Sequence, residues 1–204
     1  MKRSLLIAAL LVVQAAGCAK APPVPVDKFY RLPEPKALKV EAEASPWGKL
    51  VYVSALQATG LHTERAILFS EDAHAVSLSR YHYHHWVDGP PRLVQDYLAA
   101  SLRRAVPSVL VLTEPDGRPD VTISGKIKRF EHQVPRGKGN GKAVVVLELR
   151  VIRSRSGDPL LVKDYRAAVD VSGVGMTSTA NAFGAAVANV MTRFIADAGA
   201  ALAR

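Results

Sequence analysis

The chain has 204 residues, 49% hydrophobic and 22% charged, an ordinary globular balance that excludes a disordered or fibrous protein. A single cysteine excludes an internal disulfide, so stability must come from packing. The formal net charge is +9, or +7 without Lys2 and Arg3; this suits anionic lipid head groups or an acidic partner, while no nucleic-acid motif accompanies it.

The chain opens with Lys2 and Arg3, an unbroken apolar run from Leu5 to Val13, and the small residues Ala15-Ala16-Gly17 before Cys18. These are the three parts of a secretory signal, too short to span a bilayer alone. Ordinary cleavage needs small residues at −1 and −3. Cutting after Ala16 puts Gln14 at −3, and cutting after Ala21 puts Pro22 at +1. Cleavage before Cys18 fits best and resembles a lipobox, with Ala15 where Leu is usual. The other reading is a plain signal that leaves an unused thiol, but a lone Cys in an exported chain asks for an explanation. Acyl chains on Cys18, palmitate among them, would bury many methylenes at ~0.8 kcal/mol each and hold the protein on a membrane. Ala19 is not the Asp that retains lipoproteins at the inner membrane, which favours the periplasmic face of the outer membrane of a Gram-negative cell. Residues 19–27, AKAPPVPVD, form a tether; polyproline II at ~3.1 Å per residue gives it a reach of about 28 Å. The expected division is a signal peptide at 1–17, the lipidated Cys and tether at 18–27, and a single domain at 28–204.

Within that domain Phe29 to Leu32 reads as a short strand stopped by Pro33. The stretch from Lys36 to Trp47 reads as irregular. Leu50 to Leu56 is β-rich, with Leu50, Tyr52 and Ser54 on one side and Val51 and Val53 on the other. Ala66 to Phe69 and Ala75 to Tyr83 are further strands. Pro90-Pro91 opens a helix whose apolar positions Leu93, Val94, Tyr97, Leu98, Leu102 and Ala105 fall at helical spacing. Gln95, Arg103 and Arg104 are placed toward water, and Pro107 ends the helix. Val109 to Leu112 reads as a short strand, and Asp116-Gly117 as a turn. Val121, Ile123 and Ile127 then alternate with Thr122, Ser124, Lys126 and Lys128. Residues 136–142, RGKGNGK, make a turn into a strand with Val145, Leu147, Leu149 and Val151 on one face. Ser156 to Pro159 turns again into Leu160 to Val171. A helix begins near Ser178 with Phe183, Val187, Val190, Met191, Phe194 and Ala198 as its stripe. The expected fold is α+β, a mainly antiparallel β-sheet with two principal helices packed on one face of it.

The most unusual segment is RYHYHHWVDGPP at 80–91. Read as a regular strand, it places Tyr81 and Tyr83 on one face and His82 and His84 on the other. His82, His84 and His85 could approach a metal, with Asp88 nearby, but their spacing matches no metal signature, and neither a metal nor a cofactor is expected. The RGKGNGK run is not a phosphate loop: Ala143 follows Lys142, Arg136 stands where Gly is required, and a strand follows. It reads as a cationic hairpin tip, either solvated or touching lipid or an acidic partner. No G-x-S-x-G occurs and no base stands beside a nucleophile, so an enzyme is not expected.

Four features in this order resemble the ABC-type transport auxiliary lipoproteins, which include paraquat-inducible protein C. They are the lipobox at Cys18, FYRLP at 29–33, the Y-x-Y-x-x-W-x-x-x-P-P run from Tyr81 to Pro91, and VTISGKIKRFEH at 121–132. The helix LVQDYLAASLRRA after the double proline also fits. The resemblance implies a non-enzymatic, lipid-anchored periplasmic component, docking or scaffolding in kind, of a system that moves lipids between the inner and outer membranes. Its partners would be an ABC transporter or a protein with mammalian-cell-entry domains, and a homo-oligomer is compatible with it. Tyr81, Tyr83 and Trp86 are the candidate partner-binding residues, with core packing at the strand–helix junction as the alternative for them. Other readings of the chain are a carrier of lipid or another hydrophobic ligand, and a structural or assembly lipoprotein without a transport role.

Overall fold

The computed structural model describes residues 24–35, 45–71, 76–135 and 139–204. The signal, Cys18, the first part of the tether and the tip residues Arg136 to Lys138 lie outside the described residues, as does 36–44 of the stretch read as irregular. The strands are β1 (Lys28–Tyr30), β2 (Leu50–Val53), β3 (Ala66–Ser70), β4 (Ser79–Trp86), β5 (Leu110–Leu112), β6 (Val121–Gln133), β7 (Lys142–Arg153) and β8 (Pro159–Asp170). The helices are α1 (Pro90–Ala105) and α2 (Met176–Leu202).

All eight strands join one sheet, and β6 organises it. One edge of β6 pairs antiparallel with β7, which pairs antiparallel with β8. The alternation read from the sequence drives this meander: Val145, Leu147, Leu149 and Val151 are fully buried on the face that meets the helices. Asn140-Gly141 closes the β6–β7 hairpin. Gly141 has φ +76°, and a Cβ there would stand 2.2 Å from the Gln133 carbonyl, so the turn requires glycine. The other edge of β6 is shared. Its first residues pair in parallel with β2 (Val51 opposite Val121), and its last pair in parallel with β3 (Phe69 opposite His132). A bridge from Gln57 to Lys126 links the two halves. β5 extends the sheet beyond β2, and β4 and β1 extend it beyond β3. The sheet is therefore mixed, its longest pairings being antiparallel.

α1 starts with Pro90 at its first position and carries Arg103 and Arg104 in its last turn, where the helix dipole favours cations. Gln95 is not toward water. It is 1% exposed, and its Nε2 donates to the carbonyls of Val53 and Thr113, both at 2.8 Å. The amide thus ties α1 to the chain leaving β2 and β5, a polar bracket that an apolar-periodicity reading assigns to the wrong side. Arg103 also turns back, donating to the Val111 carbonyl at 2.7 Å. α2 buries the whole predicted stripe, with Phe183, Val187, Val190, Met191, Phe194 and Ala198 at 0% exposure. Gly184 meets Pro33; a Cβ at that position would lie 2.5 Å from the proline ring, so the FYRLP segment is seated directly on the helix backbone. Trp47, in a 3-10 turn at Ser45–Trp47, is a core residue at 0% exposure beside Gly199 of α2.

Candidate functional site at the bulged strand edge

The segment RYHYHHW becomes β4, but not as a regular strand. Its pairing with β3 passes from Ala66–His85 to Leu68–Arg80, so β4 uses five residues where β3 uses two. This bulge breaks the alternation expected for the aromatics. Tyr81 turns inward: its ring lies 4.6 Å from Phe69, stacks on His132 at 6.1 Å, and meets His84 edge-on. Tyr83 is carried outward and is 44% exposed. The two tyrosines therefore do not share a face.

Trp86 follows the bulge and is 1% exposed. It stands edge-on to Phe130 of β6 at 5.6 Å and to Phe183 of α2 at 5.2 Å. As a partner anchor it is corrected: a side chain wedged between sheet and helix cannot enter another protein's pocket. It fixes the strand–helix junction instead. Of the three aromatics chosen from the sequence, Tyr83 is exposed, Tyr81 is half-buried and Trp86 is in the core.

Phe29, which the sequence reading did not select, joins it there. β1 pairs in parallel with β4, placing Phe29 opposite His85, with ring centroids 5.6 Å apart. Phe29 is 54% exposed, and the Arg65 guanidinium lies 5.1 Å over its ring. Arg65 is aimed by its own Nε, which donates to the Trp86 carbonyl at 3.1 Å. Val26 and Val87 are also exposed along this edge. The signal that could have selected Phe29 was its place on an edge strand of three residues, where one face stays open.

Beside the bulge is an open cleft of about 450 Å³ lined by Glu64, Arg65, Arg80, Tyr81, His82 and His85. Arg80 and Glu64 form an ion pair across it at 2.8 Å. The three histidines diverge. His82 is exposed, His84 Nδ1 meets the Tyr30 hydroxyl at 2.9 Å, and His85 Nε2 lies 3.3 Å from Asp27. Among the described residues no three His, Cys, Asp or Glu side chains gather in a metal-binding group.

Under the edge runs a polar chain, half-buried at Tyr81, buried at His132 and exposed at Asn140. His132 Nε2 donates to the Asn140 carbonyl at 2.6 Å, because a carbonyl can only accept. Its Nδ1 therefore accepts from the Tyr81 hydroxyl at 2.9 Å. Asn140 Nδ2 continues the chain to the Gly173 carbonyl at 2.7 Å. Burial holds the pKa of His132 below the usual histidine value, its bond to Asn140 offsetting part of this, and burial raises that of Tyr81. His84 is also lowered, by burial and then by the positive charges of Lys28 and His85. The arrangement braces the edge. Its chemistry is that of a contact surface: Phe29 of β1 and Tyr83 of β4 are exposed on adjacent strands, and a charged cleft opens beside the bulge.

A family model described as ABC-type transport auxiliary lipoprotein component matches residues 30–196. The crystal structure of protein XCC0632 from Xanthomonas campestris is similar in fold, with a TM-score of 0.66, 16% identity, and coverage of 88% of this chain and 96% of that one. The crystal structure of an uncharacterised protein is similar too, with a TM-score of 0.68, 13% identity, and coverage of 85% and 99%. No curated protein matches the chain in sequence. Among the described residues no helix is long and apolar enough to cross a membrane.

Proposed function

Since this chain belongs to the ABC-type transport auxiliary lipoprotein family, we propose that it is the lipid-anchored periplasmic subunit of an envelope system that moves lipids between the inner and outer membranes. It acts by docking rather than by chemistry. Its partner is the transporter itself or a protein with mammalian-cell-entry domains. The observation that carries this reading is the exposed pair Phe29 and Tyr83 on the bulged edge, directly after the tether. Exposed aromatics, one of them stacked under the fixed Arg65 guanidinium, are the composition of an interface hot spot. Tyr81 and Trp86 hold the edge from beneath.

The anchor is part of the proposal. Cys18 becomes the mature N-terminus and is acylated, and Ala19 directs the protein to the outer membrane. Mass spectrometry of membrane-extracted protein should show a lipid-modified Cys18; an unmodified N-terminus at another residue ends that claim. For the docking role the test is recovery of transporter components with the full-length protein from gently solubilised membranes. Tyr83→Ala should weaken the affinity about thirtyfold, the equivalent of ~2 kcal/mol at a hot spot, and reduce recovery with it. Absence of any transporter component with the wild-type protein would remove the functional reading.

A further inference from the structure

Among the described residues β8 pairs on one side only, with β7. It is twelve residues long, and an edge of that length invites pairing with another chain. The hydrogen bonds show which of its backbone groups are open. The Val171 N–H donates to the Gly141 carbonyl, so in this antiparallel ladder the odd residues from 163 to 171 face β7 and the even ones face outward. The Arg166 carbonyl agrees, since it accepts from Arg193 of α2 rather than from β7. The outward groups therefore belong to Val162, Asp164, Arg166, Ala168 and Asp170. Their side chains all stand on the sheet face away from α2, where Asp164 meets Lys128 of β6 at 2.7 Å.

We propose that two copies of this chain join through β8, antiparallel about a two-fold axis at Tyr165. In that register Asp164 stands opposite the second copy's Arg166, and Arg166 opposite its Asp164, both as hydrogen-bonded pairs at ~5.5 Å between Cα atoms. Val162, 55% exposed in the single chain, is covered by the second copy's Ala168. The charges select this register. Moving the axis to residue 164 opposes two Asp164 side chains, and moving it to residue 166 opposes two Arg166 side chains. A two-fold interface must be self-complementary, and the sequence around Tyr165 is. Arg193 must release the Arg166 carbonyl, which then accepts from the second copy's strand. The two sheets become one continuous sheet, with the α2 helices side by side on the same face.

The test is a charge exchange read by sedimentation of the full-length protein in detergent. Asp164→Arg puts four arginines at the axis, and Arg166→Asp puts four aspartates there. Each should weaken self-association on the order of tenfold, from losing two attractive cross-strand pairs and gaining two repulsive ones. Mixing the two variants should restore the dimer, because every pair is then opposite in charge. Hydrogen exchange on wild-type protein supplies a second readout that needs no variant. The outward amides of Asp164, Arg166 and Ala168 should be protected in concentrated protein and lose protection on dilution. The proposal is overturned by a wild-type protein that sediments as a monomer, by an oligomer indifferent to both variants, or by variants that stay apart on mixing. Protection of β8 that appears only when another protein is added would assign the edge to that partner and overturn it equally.

Discussion

Replacing Trp86 by alanine separates the core of the candidate site from its surface. The indole is 1% exposed and shares a three-ring cluster with Phe130 and Phe183. An aromatic side chain of this size buries ~200 Å², worth ~5 kcal/mol at ~25 cal/mol per Å² as an upper bound. Each ring pair adds ~1 kcal/mol, while partial collapse of the space left behind returns some of the loss. The expected destabilisation is therefore ~4 kcal/mol, in the range seen for Trp→Ala in cores. In a domain of this size that lowers the melting temperature by about 10 °C. Tyr83→Ala, three residues earlier, should change stability by no more than ~0.5 kcal/mol, as at other open surface positions. Thermal unfolding followed by circular dichroism measures both, and recovery of transporter components measures docking. Trp86→Ala should lose stability and docking together, and Tyr83→Ala docking alone. A Trp86→Ala protein that melts within about 2 °C of the wild type would show that the cluster does not hold the strand–helix junction. A Tyr83→Ala protein that melts as low as Trp86→Ala would refute the surface assignment.

Gln95→Leu strands the Val53 and Thr113 carbonyls inside the protein and should cost ~2 kcal/mol in chemical denaturation; an unchanged midpoint would mean that these bonds carry nothing. His132, His62 and His84 all have folded pKa values held below the histidine norm, by burial first in each case. The unfolded chain therefore binds protons first as pH falls, so stability is fully present above about pH 6.5 and declines below it, through the lower folded values. Denaturation midpoints from pH 7.5 to 5 should fall, and His132→Gln should flatten the fall; an identical slope would exclude His132 as a contributor. Asp197 is depressed, by its hydrogen bond from Lys163 first and the Tyr165 hydroxyl after it. Its contribution is present above about pH 4 and lost as pH drops through the lower folded value, so Asp197→Asn should remove that part of the acid dependence. Gly184→Leu drives a side chain into Pro33 and should lower the melting temperature by several degrees, while Ala185→Leu, on the exposed face of α2, should not.

Local patterns were readable where one face of an element is buried and the other is not. The alternation in β6 and β7 and the helical stripes of α1 and α2 carry that information residue by residue, and the structure follows it. The parallel pairings of β2 and β3 on β6 join residues more than sixty apart in the chain and leave no local periodicity to find. The bulge in β4 was invisible for a related reason. Tyr81 and Tyr83 look equivalent until β3 imposes its shorter count. A second irregularity between Ile127 and Arg129 shifts the alternation of β6, so that Phe130 reaches the core and Glu131 and His132 are both buried. Gln95 was misplaced because its partners are backbone carbonyls of other elements. Trp86 carried two readings, anchor or core. Nothing in its neighbours in sequence distinguished them, since Phe130 and Phe183 arrive from distant segments.

The divided edge of β6 also imposes an order of assembly. Synthesis proceeds from the N-terminus, so β1 to β5 emerge before the strand on which β2 and β3 lie side by side. Until residues 121–133 arrive, β3 and β4 can form a hairpin and β2 can meet β5, but nothing aligns the two pairs with each other. From β6 onward the chain is a run of neighbours, β6 to β7 to β8 to α2, which closes quickly because its contacts are local in sequence. The second half is thus the template and the first half is the client. A chain that ends at residue 120 is expected to remain protease-sensitive throughout, while one that has released β8 and α2 should become resistant in a single step.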